Sequence, residues 1–435
     1  MNRVIIIVFL FASSVLQAQE SLSLNQAILQ ALQNNRNIKI SENSVIISQN
    51  RSSLGQAGLL PSLNASGSVN QGLDNYTRQM TGSSNTTEIS GAQSSIYKAS
   101  LNLNYTIFSG FSNKYTYEKL KTNIDLSNAE SKVNIENIIL RVAANYYNVI
   151  RTEENYKALL ESIEISKKRY QIAQARNNYS GGTKLALLNV EVDLNKDSVT
   201  LYDAKLAKEN ALLSFNKIIG FPLDTTVSLV HNAIEDNAYD YENLKQEMFN
   251  QNFELTALKY REQVSLLDYK IAKASFYPTL NLGSSYSFSN SDIEYSGYDI
   301  NRSNGLGINL SLNVPIYNGG RKRANLENTK IFIENASLQK EELMLQLELE
   351  LLSAYKDYLN ALQKVRMQKT NVETATLNLD LTMEKYKLGQ VISTQFREAQ
   401  FNLIMAKNNY NNSAFNVKLA ELEIIKLSGI LLQQK

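Results

Sequence analysis

The sequence predicts a mainly α-helical chain with membrane β: one unit of long antiparallel helices and two β-strands, present twice. Three observations predict it. The first is repetition. Leu60-Pro61-Ser62-Leu63-Asn64 returns as Tyr277-Pro278-Thr279-Leu280-Asn281, and Phe108-Ser109-Gly110 returns as Tyr317-Asn318-Gly319. Tyr179-Ser180-Gly181-Gly182, with Glu191 beyond it, returns as Tyr386-Lys387-Leu388-Gly389, with Glu398 beyond. A period this long marks one duplicated supersecondary unit and not a solenoid of small repeats. The second observation is four segments that alternate with period 2, and the third is two long stretches of equal length without Pro or Gly.

The N-terminus comes first. Arg3, the apolar run Val4–Ala12 and the small residues before Gln19 read as a secretory signal peptide over residues 1–18, the run being too short to span a bilayer. The first repeat is then expected over 19–222 and the second over 223–435, the two forming one intertwined protomer. Within the first repeat a helix is expected over Leu24–Leu60, stopped by Pro61. Strands follow over Leu63–Leu73 and Tyr97–Ile107, with apolar or small residues on one face and Ser, Asn and Gly on the other. The Asn- and Ser-rich segment Gln71–Ser95 between them reads as a long hairpin loop.

Asn113–Asn178 has no breaker and carries a helical stripe through Ile135, Ile138, Val142, Tyr146 and Val149. A helix of that length would reach about 100 Å at 1.5 Å per residue. Gly181-Gly182 is a tight turn, and Thr183–Ile219 is the returning helix. Val227–Val230 reads as a short strand linking the copies. The second repeat goes the same way. Helix Tyr241–Tyr277 leads to strands Leu280–Phe288 and Leu306–Ile316, joined by a loop over Ser289–Asn304. Helix Arg321–Tyr386 and helix Val391–Ser428 complete it. Leu343–Leu351 alternates like a strand, but its Leu, Glu and Gln are helix formers, so it is expected to be helical.

Each strand has about the 9–11 residues that a tilted barrel strand needs to cross a bilayer. Tyr and Phe gather near the strand ends, as in the aromatic girdles of membrane barrels. Four strands cannot close such a barrel, and open edges cannot face lipid, so further copies of the same chain must pair them. Two copies give eight strands and three give twelve.

Composition narrows the function. Lys+Arg 44 against Asp+Glu 42 leaves a net charge of +2, which argues against nucleic acid as partner. Cys is absent, which excludes disulfides and an acylated N-terminal Cys. His231 is the single histidine, so catalytic triads and His/Cys zinc sets have no members. No enzyme activity, metal or cofactor is expected.

The two copies of Tyr-x-x-Gly with an acid nine residues after the glycine, Tyr317-Asn318-Gly319-Gly320 after a strand and Leu60-Pro61-Ser62 before one, resemble the TolC-type outer-membrane factors. The resemblance covers essentially all the mature chain. It implies a homotrimer in the outer membrane of a Gram-negative bacterium, closing a 12-stranded β-barrel in lipid on an α-helical barrel in the periplasm. It implies a passive exit duct for an efflux pump or a type I secretion system. The partners would be a periplasmic adaptor and an inner-membrane transporter of RND, ABC or MFS type. A periplasm-spanning trimeric fibre or adhesin is the alternative, but a fibre needs no polar lumen.

The resemblance also implies roles for residues. The adaptor-docking tips would be Tyr179, Gly182, Thr183 and Lys184 in one turn and Tyr386, Gly389, Gln390 and Val391 in the other. Glu191 and Glu398 would point into a closed periplasmic entrance, where a ring of acids selects cations. Gln395 stands where a second carboxylate is often found, a departure that weakens any cation trap.

Overall fold

The computed structural model describes residues 21–179, 181–231, 237–294 and 301–432. The expected signal peptide lies outside these residues. Twelve elements follow in chain order: α1 (Leu24–Asn34), α2 (Arg36–Arg51), β1 (Ser62–Gln79), β2 (Thr86–Phe108), α3 (Ser112–Asn178) and α4 (Lys184–Ile219) in the first copy. The second copy supplies α5 (Tyr241–Gln251), α6 (Phe253–Ala274), β3 (Thr279–Ile293), β4 (Asn301–Asn313), α7 (Arg321–Lys387) and α8 (Ser393–Leu427). The chain packs as two compact units, each drawing on both copies. One takes the described parts of Met1–Ser41, Lys132–Asn252 and Leu345–Lys435; the other takes Glu42–Ser131 and Phe253–Met344.

The second of these units holds a four-stranded antiparallel sheet in the order β1-β2-β3-β4. Its register sets apolar residues opposite apolar ones: Leu63 faces Leu103, Ala65 faces Leu101 and Val69 faces Tyr97. Leu101 in turn faces Tyr286, which faces Leu306. A one-residue slip would move every one of these to the other face, so the pattern fixes the register. The opposite face hydrogen-bonds to itself. Ser66 and Ser100 hydroxyls lie 2.8 Å apart, Asn102 Nδ2 donates to Ser100 Oγ at 3.0 Å, and Thr106 Oγ1 donates to Asn281 Oδ1 at 3.0 Å. The apolar face has no cover in the single chain: Leu306, Ile308, Leu310 and Leu312 are 61 to 71 % exposed.

The strands are longer than expected, at 18, 23, 15 and 13 residues. Most of Gln71–Ser95 and much of Ser289–Asn304, expected as loops, is paired strand, with only Met80–Asn85 turning between β1 and β2. Apolar residues are sparse there, Tyr76 facing Ile89 being an isolated pair, so backbone pairing continues where the regular alternation has stopped. β4 ends at Asn313 and not Ile316. Pro315 lies just beyond and has no N–H for a ladder.

In the other unit, Ala27, Ala31 and Ile38 meet Ile138, Val142, Tyr146 and Val149 of α3 and Ala211, Phe215 and Ile219 of α4. The Tyr146 hydroxyl donates to the carbonyls of Leu22 at 3.1 Å and Val230 at 2.7 Å. Burial pushes its pKa up to about 12, against the lowering effect of the Val230 bond. It thereby holds the expected strand Val227–Val230, which shrinks to a single parallel bridge between Leu22 and Leu229.

Two expected helices are broken. Leu24–Leu60 divides at Asn35 and stops at Arg51, and Tyr241–Tyr277 divides at Asn252 and stops at Ala274. Both asparagines are extended, with ψ of 122° and 125°. Asn35 Nδ2 donates to the carbonyl of Ile218 at 2.8 Å, and Asn252 Nδ2 donates to that of Leu427 at 3.1 Å. Each break therefore satisfies an orphan carbonyl in the last turn of a long helix, α4 or α8. Asn35 Oδ1 also accepts from the N–H of Asn37 at 2.9 Å, which caps α2. The four long helices match expectation within a residue or two, and Leu343–Leu351 is helical, inside α7.

Candidate functional site

The two helix-turn-helix tips carry most of the residues singled out from sequence. In the second tip α7 ends in a Schellman turn: Gln390 N–H donates to Lys385 O at 2.9 Å and Gly389 N–H to Tyr386 O at 3.0 Å. Gly389 has φ +77°, a backbone state that glycine adopts without strain. α8 then begins with Gln395 Oε1 accepting from the N–H of Ile392 at 3.2 Å. Gln395 is thus a capping residue in this chain. In the first tip Gly181 N–H donates to Arg176 O at 2.9 Å, and Thr183 Oγ1 caps α4 by accepting from Ala186 N–H at 3.2 Å. A Cβ on Gly182 would come within 3.1 Å of Arg176 Cβ and of the Asn177 nitrogen, so the turn is tight there as well.

The tips differ in how they are held. Tyr386 is 3 % exposed. Its ring lies 5.2 Å from that of Phe396, the Arg176 guanidinium sits 4.9 Å from its centroid, and Arg176 also donates to the Tyr386 carbonyl. Leu379, Ala399 and Leu403 close the cluster, against Ile165 and Ile172 of α3. Tyr179, at the equivalent place, is 86 % exposed. Gly182, Thr183, Lys184, Gly389 and Gln390 are exposed, and Val391 is half-buried against the Tyr386 cluster.

Glu191 and Glu398 are both exposed, and neither joins an ion pair among the described residues. Lys184 is exposed too. Arg397, next to Glu398, is committed elsewhere. Its two terminal nitrogens donate to both oxygens of Asp197 at 2.6 Å, a bidentate pair linking α8 to α4. Burial pulls the Arg397 pKa down, yet the hydrogen bond and charge of Asp197, with that of Asp193, outweigh it and leave it above its ordinary value.

Asp197 anchors a buried polar network that sequence reading missed. Ser166 Oγ donates to Asp197 Oδ2 at 2.6 Å, and Gln400 Nε2 donates to Ser166 Oγ at 2.7 Å and Ser162 Oγ at 2.8 Å. One turn nearer the tip, Arg169 is fully buried and donates to Asp193. Three helices are therefore joined by polar contacts where an apolar seam would be usual. A signal was present: Ser162, Ser166 and Arg169 recur at helical spacing along one face of α3. The partners of Asp193 and Asp197 lie far away in sequence, so nothing local marks the two acids as buried pairs.

Among the described residues no group of three His, Cys, Asp or Glu could hold a metal ion, and no helix is long and apolar enough to cross a membrane. The membrane-competent surface is the sheet.

Comparison with known proteins agrees with this geometry. The profile of the outer membrane efflux protein family matches residues 27–220 and 244–430, so it recognises both copies. The chain is 20% identical over 424 residues to the outer membrane efflux protein BepC of Brucella suis biovar 1, covering 97% of this chain and 88% of that one. It is 24% identical over 317 residues to the outer membrane protein TolC of Vibrio cholerae serotype O1, covering 69% of each. The crystal structure of the Campylobacter jejuni CmeC outer membrane channel superposes with a TM-score of 0.78 at 18% identity, covering 94% of this chain and 86% of that chain. A trimeric barrel is consistent with that family. The chain belongs to the outer membrane efflux protein family and is an exit duct in the outer membrane of a Gram-negative cell.

Proposed function

We propose that three copies of this chain close one passive duct, through which an inner-membrane transporter of RND, ABC or MFS type, coupled by a periplasmic adaptor, expels small molecules or protein. The observation that carries it is the sheet. One face is apolar and uncovered, the other is a lattice of Ser, Asn and Thr, and both outer strands, β1 and β4, end in open edges. Three such sheets joined edge to edge leave no unpaired backbone in lipid and enclose a wet pore. The duct needs no catalytic step of its own, since the transporter supplies the energy.

In this reading the exposed tip residues Tyr179, Gly182, Thr183, Lys184, Gly389 and Gln390, with Val391 and the buried Tyr386 beneath them, form the adaptor-docking end. Glu191 and Glu398 face the entrance, where three copies make two sets of three acids around one axis. Their exposure and the lack of an ion pair to either among the described residues support this. Single-channel conductance of the purified protein in a planar bilayer tests it. The wild type is expected to conduct with a cation preference, and the double variant E191A/E398A to lose part of that preference with assembly intact. An insulating trimer would favour a fibre, and unchanged selectivity would move both acids out of the lumen.

A further inference from the structure

α3 of the first copy and α8 of the second enclose a cavity of about 250 Å³. Much of its lining is apolar or aromatic: Tyr147 and Ile150 from α3, and Tyr410, Ala414 and Phe415 from α8. Arg151, Glu154 and Lys418 bring charge to the same walls. Two of those charges are already met. Lys418 Nζ lies 2.9 Å from Glu421, and Glu154 lies 2.9 Å from Lys157 Nζ and 3.3 Å from His231 Nδ1. Arg151 is different. Its Nη2 donates to Asn148 Oδ1 at 2.7 Å and its Nη1 to Asn412 Oδ1 at 3.0 Å, both neutral acceptors. Its guanidinium sits 5.0 Å from the centroid of the Phe415 ring. Its Nε is buried without a hydrogen-bond partner, and no carboxylate pairs with it among the described residues. Arg169 and Arg397, in the same unit, each pair with an aspartate. A guanidinium drawn out of water without an opposite charge carries a desolvation cost that an incoming anion offsets.

We propose that this cavity binds a small organic anion built on one aromatic ring, its carboxylate on Arg151 and its ring among Tyr147, Tyr410 and Phe415. Three observations select that chemistry. First, the unmatched charge is positive, and the planar fork of a guanidinium suits a carboxylate. Second, the rings and methyls of the walls offer a bare inorganic ion nothing, whereas an aromatic body packs against them. Third, sites for drug-sized ligands run from roughly 300 to 1,000 Å³, so a cavity of about 250 Å³ takes one ring and not two. An organic cation fits poorly, because Glu154, the one lining carboxylate among the described residues, is already shared by Lys157 and His231. A bound anion touches α3 and α8 together, so it ties the first copy of the pattern to the second. The site lies within one unit of one chain and stands independently of the duct reading.

The chain has no tryptophan, so Tyr410→Trp places a lone indole in the cavity wall. Titrating para-nitrobenzoate into the purified Y410W protein is expected to quench that fluorescence saturably. Neutral para-nitrobenzamide is expected to need a concentration about ten- to a hundredfold higher, the factor for one charge-assisted hydrogen bond. That comparison leaves Arg151 in place, so it holds even where an Arg151 variant fails to fold. Adding Arg151→Met should weaken nitrobenzoate by a similar factor, and Arg151→Lys by less, since the charge remains. Calorimetric titration of the unsubstituted chain with benzoate reads the same site without the indole. Equal quenching by the acid and the amide, or an unchanged nitrobenzoate affinity in R151M, would overturn the site. No quenching together with a flat calorimetric trace would do the same. Displacement of nitrobenzoate by an equal concentration of sulfate would show that the cavity reads charge alone and would overturn the aromatic half of the proposal.

Discussion

Tyr179 and Tyr386 occupy the same place in the duplicated pattern, and the chain treats them oppositely. The second is clamped between Phe396 and Arg176, while the first stands almost wholly in solvent. Elsewhere the copies remain close. Asn35 and Asn252 break their helices the same way, and Gly220 and Gly429 are both in the left-handed region just past α4 and α8. Duplication thus preserved the parts where backbone groups must be satisfied, and divergence went into side-chain packing. The buried network follows the same division. Asp193 and Asp197 of the first copy have Gln400 and Ile404 at the matching places of the second, so the polar anchor exists once.

The comparison can be broken most sharply at the tyrosines. Tyr386→Ala is expected to destabilise the purified protein by about 3 to 5 kcal/mol, the range for emptying a buried aromatic site. Tyr179→Ala should stay within about 0.5 kcal/mol, as at a free surface, and reduce export in cells. Guanidinium unfolding followed by helical circular dichroism measures the first pair of values, and a drug-accumulation assay measures the export. Equal losses of stability would mean that both tips are packed in the assembly.

Asp197→Ala comes next, at about 3 kcal/mol, because it leaves Arg397 without its carboxylate and Ser166 without its acceptor. The partial exposure of Arg397 keeps the figure at the low end of that range. Asp193→Ala should cost a comparable amount through Arg169, and faster proteolysis between α4 and α8 would accompany either change. A neutral outcome for both would show that the network is dispensable. The smallest effects belong to the two helix breaks: Asn35→Ala and Asn252→Ala should each cost about 1 to 2 kcal/mol for the side-chain hydrogen bonds they lose. The two are expected to agree, and a wide gap between their unfolding midpoints would show that the copies have diverged there too.

What was legible in the sequence was periodic. The four long helices and both tips announce themselves through unbroken stripes bounded at the turns by Thr183 and Gly389. The strand cores do so by alternation. What was illegible depended on partners distant in sequence or on backbone pairing alone. Asn35 reads as an ordinary helical residue until the carbonyl of Ile218 arrives beside it. Asp197 reads as a solvated acid until Arg397 meets it. The outer halves of β1 and β2 carry Gln, Ser, Asn and Thr on both faces, so no alternation marks them, although their ladder continues to Gln79 and Thr86.

Those outer halves have a consequence for the living cell. A bilayer takes about ten residues of a tilted strand, and β2 has 23. The surplus lies toward the β1–β2 turn at Met80–Asn85, the end of the hairpin away from α2 and α3. It offers water a surface rich in hydroxyl and amide groups. Such a hairpin end is where an antibody or a phage tail fibre would grip, and its sequence can change without disturbing the alternating strand core.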